Sequence, residues 1–138
     1  MPYLAEYTGG KMFLRKSIKI PLYAGFFDII VMDETKTFDK LYISEFARKE
    51  IYGHSIHTGL RKTQMTHFVM VLNFNNNIPI TNGVVSHEAL HITSFILDYI
   101  GQDFDHNNHE EFAYLIQWVT DEVYKFLDHH KLKVSCQK

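Results

Sequence analysis

Residues 87–91 read His-Glu-Ala-Leu-His, and these residue types at this spacing can bind a metal ion and activate water. Residues four apart in an α-helix lie one turn apart on the same face. His87 and His91 can therefore coordinate one zinc ion, each through a ring nitrogen at about 2.0–2.1 Å. Glu88 is rotated about 100° from His87, so its carboxylate can instead take a proton from a metal-bound water. The pattern predicts a zinc site in which Glu88 is the general base.

A third ligand is needed, because catalytic zinc usually has three protein ligands and one position open to water. Ser94 and Leu97 stand where the metzincin pattern has glycine and a third histidine, which excludes that class. Eighteen residues lie between His91 and Glu110, the spacing of aminopeptidase-type gluzincins. This spacing favours Glu110 over the other candidates, which are Asp98, Asp105, His106, His109 and Glu111. The two histidines of that set remain the alternatives.

A routine structural role explains Glu111 but not Glu110. Asn108 followed three residues later by Glu111 is a capping box, in which side chains satisfy the free N–H groups at a helix start. Glu110 is left without such a role, which strengthens its assignment as a ligand.

Polar residues follow Glu110 at helical spacing: Tyr114, Gln117 and Asp121. A polar line beside an apolar stripe is ordinary for a surface helix. Alternatively, these groups face the zinc site. Tyr114 would then donate to a developing oxyanion, and Asp121 would orient a ligand histidine. The sequence leaves both interpretations open.

Alternating and apolar segments predict the strands that position the motif. Residues 16–32 form two short strands or one bent edge strand, because Pro21 and Gly25 interrupt them. Residues 35–52 have helical spacing and end before Gly53, a normal helix stop. A short strand is expected in residues 54–62, and the clearest strand is Thr66–Phe74.

Two helices follow the last strand and its loop at residues 75–79. Thr81 can cap the motif helix, and Gly101 ends it before a polar connection at residues 102–107. The final helix runs from about Asn108 to Leu127, with a buried stripe at Phe112, Leu115, Ile116, Val119 and Val123. The order predicts an α+β fold in which a small mixed sheet packs on the motif helix and a C-terminal ligand helix.

Composition bounds the size and partners of the protein. A chain of 138 residues with 46% hydrophobic residues is expected to form a single domain, with a loose lead-in at 1–15 and a tail at 129–138. The net charge of −2 disfavours nucleic acid and anionic membranes as partners. The single cysteine, Cys136, rules out an internal disulfide, and no signal peptide or membrane span is evident. A cytoplasmic location is expected.

Two segments resemble a known family. Ser86-His-Glu-Ala-Leu-His-Ile and Asn108-His-Glu-Glu-Phe-Ala-Tyr-Leu are similar to short gluzincin-type zincins, including small zinc peptidases of phage and bacterial genomes. The resemblance to ImmA/IrrE-type repressor-cleaving peptidases is more distant. The resemblance to gluzincin-type zincins covers roughly residues 66–127, and the first sixty or so residues match no motif of the family. SprT-like zincins use a third histidine here, which keeps His106 and His109 as alternatives to Glu110.

The resemblance implies a zinc metallopeptidase of zincin-like fold, with zinc on His87, His91 and Glu110 and with Glu88 as base. A polypeptide substrate would lie as an added strand along a sheet edge, for which Thr66–Phe74 is the expected strand. If phage-encoded, the protein would act in the host cytoplasm or the virion.

Two other interpretations of the motif compete with a peptidase. A catalytically silent zincin-fold module could dock on a larger assembly, such as a phage assembly component. However, a structural zinc site has no need of Glu88 and would tend to use cysteines. An accidental match, with a probability of roughly 3% by composition, is the weakest alternative.

Overall fold

The computed structural model describes residues 3–8, 11–33, 36–44, 53–73, 80–107 and 109–135. Its strands are β1 Tyr3–Thr8, β2 Lys11–Lys19, β3 Phe26–Met32, β4 Gly53–Gly59 and β5 Thr66–Asn73. Its helices are α1 Lys36–Leu41, α2 Asn82–Tyr99 and α3 His109–His129. The strands form one mixed sheet in the order β1-β2-β3-β5-β4, in which only the β3–β5 pair is parallel. The predicted α+β class with a mixed sheet is confirmed.

The strand predicted to border the cleft lies in the middle of the sheet. β5 pairs with β3 on one side and with β4 on the other, so the expectation that it forms the edge is wrong. The reason is visible in its sequence: the run from Phe68 to Leu72 is apolar without alternation, and all of it is buried. A strand covered on both faces belongs in the interior of a sheet. The edge strand beside α2 is β4.

Helix α2 begins and ends where the sequence predicts. The side chain of Thr81 accepts a hydrogen bond from the backbone N–H of Val84 at 3.1 Å, which caps the first turn. Gly101 follows the helix with φ of 80°, a left-handed conformation that glycine adopts without strain. Val85, Ala89, Ile92 and Ile96 are buried against the sheet. The opposite face, which includes both histidines of the motif, is exposed.

Helix α3 covers the same face of the sheet as α2. Leu115, Val119 and Val123 are buried as predicted, and the stripe continues through Phe126. Phe112 and Ile116, also predicted to be buried, are only partly buried. The chain beyond this helix is also held in place in part: Ser135 forms a parallel bridge with Thr81, beside the start of α2. The expected tail is therefore anchored up to residue 135.

Three predicted boundaries differ from the structure. Residues 3–8 and 11–15, expected as a lead-in, belong to β1 and β2, which pair with each other. Helix α1 stops at Leu41, because Tyr42 instead forms a bridge with Leu60, and residues 45–52 lie outside the described residues. Gly53 begins β4 rather than ending a helix. The loop expected at 75–79 also lies outside the described residues.

Candidate metal centre

The two histidines of the motif bring their ring nitrogens close together. The Nε2 atoms of His87 and His91 are 3.2 Å apart, and both residues are exposed on one face of α2. A tetrahedral zinc ion bound at about 2.1 Å by two nitrogens holds them about 3.4 Å apart. The spacing is close to that of two imidazoles on one tetrahedral metal ion, and it is also that of a hydrogen bond between the two rings.

Glu88 lies beside this pair but is buried, with 6% of its surface exposed. Its Oε1 accepts a hydrogen bond from the hydroxyl of Ser55 on β4 at 2.7 Å. Its Oε2 is 3.9 Å from Nε2 of His87. One carboxylate oxygen is therefore fixed by the edge strand, and the other lies near Nε2 of His87.

A glycine lets β4 approach α2 closely enough for this contact. A Cβ atom at Gly53 would lie 2.9 Å from Cγ of Glu88 and 2.9 Å from Cγ1 of Val84. Such distances are shorter than real Cβ contacts, so any larger residue would displace one of these side chains. The position of the Glu88 carboxylate thus depends on both Gly53 and Ser55.

The predicted ligand Glu110 lies in the first turn of α3 and is exposed. Tyr114, 67% exposed, and Gln117 and Asp121 share that exposed face, as expected for the polar side of a surface helix. Within the described residues, no three His, Cys, Asp or Glu side chains form a group that could hold a metal ion. The assignments of Glu110 as ligand and Tyr114 as oxyanion donor remain predictions.

Glu111 makes a contact that the capping prediction did not include. Its carboxylate accepts a hydrogen bond from the hydroxyl of Tyr23, in the turn between β2 and β3. This hydrogen bond is the main reason that the pKa of Tyr23 rises to about 12. Asn108, the other half of the predicted capping box, lies outside the described residues. The Glu111 side chain therefore links the start of α3 to the turn between β2 and β3.

Sequence reasoning missed Ser55 and Gly53 as parts of this site. Ser55 stands in a segment correctly expected as a strand, but nothing in that segment indicates which face of the strand meets the motif helix. Gly53 was predicted to end a helix and instead begins the strand. The alternative ligands His106 and His109 are exposed, the first in the connection before α3 and the second at its first residue.

The chain matches no protein-family model, and the comparisons with curated proteins and with solved structures likewise gave no match. Among the described residues, no helix has both the length and the apolar character that crossing a membrane requires.

Proposed function

We propose that this protein is a zinc-dependent peptidase of zincin type, with its site on the exposed face of α2. The observation that carries the proposal is the 3.2 Å separation of the His87 and His91 Nε2 atoms, with the Glu88 carboxylate next to them. A pair of histidines alone would serve a structural zinc equally well. The adjacent buried carboxylate has a use in hydrolysis that a structural site does not require.

His87 and His91 would hold the ion, together with Glu110 or, failing that, His106 or His109. A zinc ion held by these residues would supply an activated water as the nucleophile at neutral pH. The Oε2 atom of Glu88 accepts a proton from the attacking water and then delivers it to the leaving amine nitrogen.

Ser55 keeps Glu88 in place during both proton transfers. The hydroxyl of Ser55 donates a hydrogen bond to Oε1 of Glu88, so the carboxylate cannot rotate freely. Oε2 therefore stays on the side of His87. Tyr114 is the expected donor to the carbonyl oxygen of the scissile bond, by virtue of its place one turn after Glu110.

The proposed substrate is a polypeptide in extended conformation. β4 is the strand next to α2, and the face of β4 that carries Ser55 packs against the motif helix. Its outer edge is not paired with another strand among the described residues. A peptide added to this edge would place its backbone beside Glu88, which is how extended substrates commonly bind to sheets.

The direct test uses Glu88→Gln and a library of peptides prepared from a digested proteome, with cleavage read by mass spectrometry. The wild type is expected to cleave library peptides in the presence of zinc. The variant should bind zinc as the wild type does but cleave about 10²–10⁴-fold more slowly, the usual contribution of a general base. Cleavage by the variant at the wild-type rate would contradict the role of Glu88. Zinc uptake without cleavage by the wild type would instead fit a silent zinc-binding module.

A further inference from the structure

A cavity lies on the face of the sheet opposite α2 and α3. Its volume is roughly 390 Å³, and its walls include polar Arg15, Ser17 and His67 and apolar Phe26, Leu60 and Met65. The proposed zinc site does not use any of these residues. The volume is within the usual range of about 300–1,000 Å³ for small-molecule sites.

One fully buried carboxylate organises the polar wall. Asp28 accepts hydrogen bonds from Nη2 of Arg15 at 3.0 Å, from Oγ of Ser17 at 2.5 Å, from Nδ1 of His67 at 2.8 Å and from the hydroxyl of Tyr42. Burial by itself raises the pKa of Asp28. The hydrogen bond from His67, the positive charge of Arg15 and the hydroxyl of Ser17 outweigh burial and hold that pKa below its ordinary value. Asp28 is therefore ionised at neutral pH.

This arrangement fixes which nitrogen of His67 can accept a hydrogen bond. Because Nδ1 carries the hydrogen that is donated to Asp28, a neutral ring has a bare Nε2. Nε2 is buried and has no hydrogen-bond partner among the described residues. His67 is 2% exposed, and Phe26 stacks on its ring with centroids 4.9 Å apart. Buried polar atoms are rarely left unpaired in proteins, so Nε2 is available to accept a hydrogen bond that the described residues do not supply.

Arg15 also retains hydrogen-bonding capacity. It donates from Nε to the hydroxyl of Tyr42 and from Nη2 to Asp28, and its side chain is 14% exposed. Its Nη1 group makes no hydrogen bond to the residues that the structure describes. Arginine that is held in place by other contacts binds carboxylates well, because little side-chain freedom is lost.

We propose that this cavity binds a small hydroxy acid with an apolar body. The carboxylate of the ligand accepts from Arg15, its hydroxyl donates to Nε2 of His67, and its apolar part packs on Phe26, Leu60 and Met65. The site is separate from the proposed zinc centre, and its occupancy does not depend on the peptidase assignment.

The test titrates the full chain with mandelate, which has all three features, and with phenylacetate, which lacks only the hydroxyl. The readout is the ¹⁵N resonance of His67 Nε2. We expect mandelate to shift this resonance and phenylacetate to bind about fivefold more weakly, the effect of one hydrogen bond. No shift with mandelate, or equal affinities for the two acids, would overturn the proposal.

Leu60→Trp provides an independent variant, because a larger side chain in the wall fills the cavity without removing any member of the polar network. It should lose mandelate binding. Phe104→Trp, in the exposed connection between α2 and α3, is the control and should bind as the wild type does. Undiminished binding by Leu60→Trp would show that mandelate binds elsewhere and would also overturn the proposal.

Discussion

Glu88 and Asp28 are both buried carboxylates, but their surroundings suit them to different roles. Asp28 accepts hydrogen bonds from four side chains, so it is held ionised and is poorly basic. Glu88 accepts from the hydroxyl of Ser55 at Oε1, while Oε2 faces His87 without a hydrogen bond to it. Asp28 is thus the carboxylate that fixes its neighbours, while the proposed function uses the second oxygen of Glu88.

Asp28→Asn is expected to lower the free energy of unfolding at pH 7 by about 3 kcal/mol, because it removes the buried charge that compensates the partly buried Arg15. Urea denaturation followed by circular dichroism measures this difference. Asp121→Asn, on the exposed face of α3, is the control and should change stability little. A loss no larger than that of the control would show that the Asp28 network is not stabilising.

The difference in stability between the wild type and Asp28→Asn should also depend on pH. The folded-state pKa of Asp28 lies below the ordinary value of 3.8, so its contribution is complete above that value and is lost as the pH falls towards the folded pKa. The stability difference between wild type and Asp28→Asn should therefore shrink below about pH 4. A difference that grows in acid would contradict the shift.

At the scale of elements, the close contact between β4 and α2 places the proposed general base. Gly53→Ala adds a Cβ that would lie 2.9 Å from Cγ of Glu88, so the Glu88 side chain must move. We expect peptide cleavage to fall about 10- to 100-fold, because displacements of about 1 Å have such effects. Zinc content should not change, since the atoms nearest to the added Cβ belong to Glu88 and Val84 and not to His87 or His91.

The control for that substitution is Gly59→Ala, at the other end of the same strand. There the added Cβ would lie 3.1 Å from Cδ1 of Ile43, the far end of an exposed side chain that can move aside. Equal losses of cleavage in the two variants would mean that the strand, and not the position of Glu88, sets the rate.

The sequence predicted the positions of helices and strands better than it predicted which of them contact each other. The motif helix was predictable because Thr81, Gly101 and its apolar stripe are local signals. The contact of Ser55 with Glu88 was not, because it joins residues 33 positions apart and depends on the order of the strands. Tyr42 fits a helical pattern, yet its hydroxyl reaches buried Asp28, and this tertiary contact outweighs the local preference.

At the scale of the whole molecule, the sheet separates two cores. Phe27, Ile29 and Val31 of β3 belong to the larger core under α2 and α3, while Ile30 and Met32 belong to a smaller one with α1. Each face of the sheet also has one candidate site. The proposed zinc centre lies above the larger core, and the Arg15–His67 cavity lies on the other face.

This arrangement predicts a pattern of amide hydrogen exchange. β3 and β5 are paired on both sides and buried on both faces, so their amides should exchange slowest. Amides of β1 and β4, at the two edges, should exchange faster. Mass spectrometry of peptides from each strand measures the difference. Slower exchange in β4 than in β5 would show that the edge of β4 is covered and not open to substrate.

The central claim is that His87 and His91 share one zinc ion, and metal content measured by plasma mass spectrometry tests it most directly. Wild type and His129→Ala, which removes an exposed histidine at the end of α3, should each carry one zinc per chain. His91→Ala should carry none, because a single imidazole on α2 cannot replace the pair. Zinc retained in full by His91→Ala, or no zinc uptake by the wild type, would contradict the account.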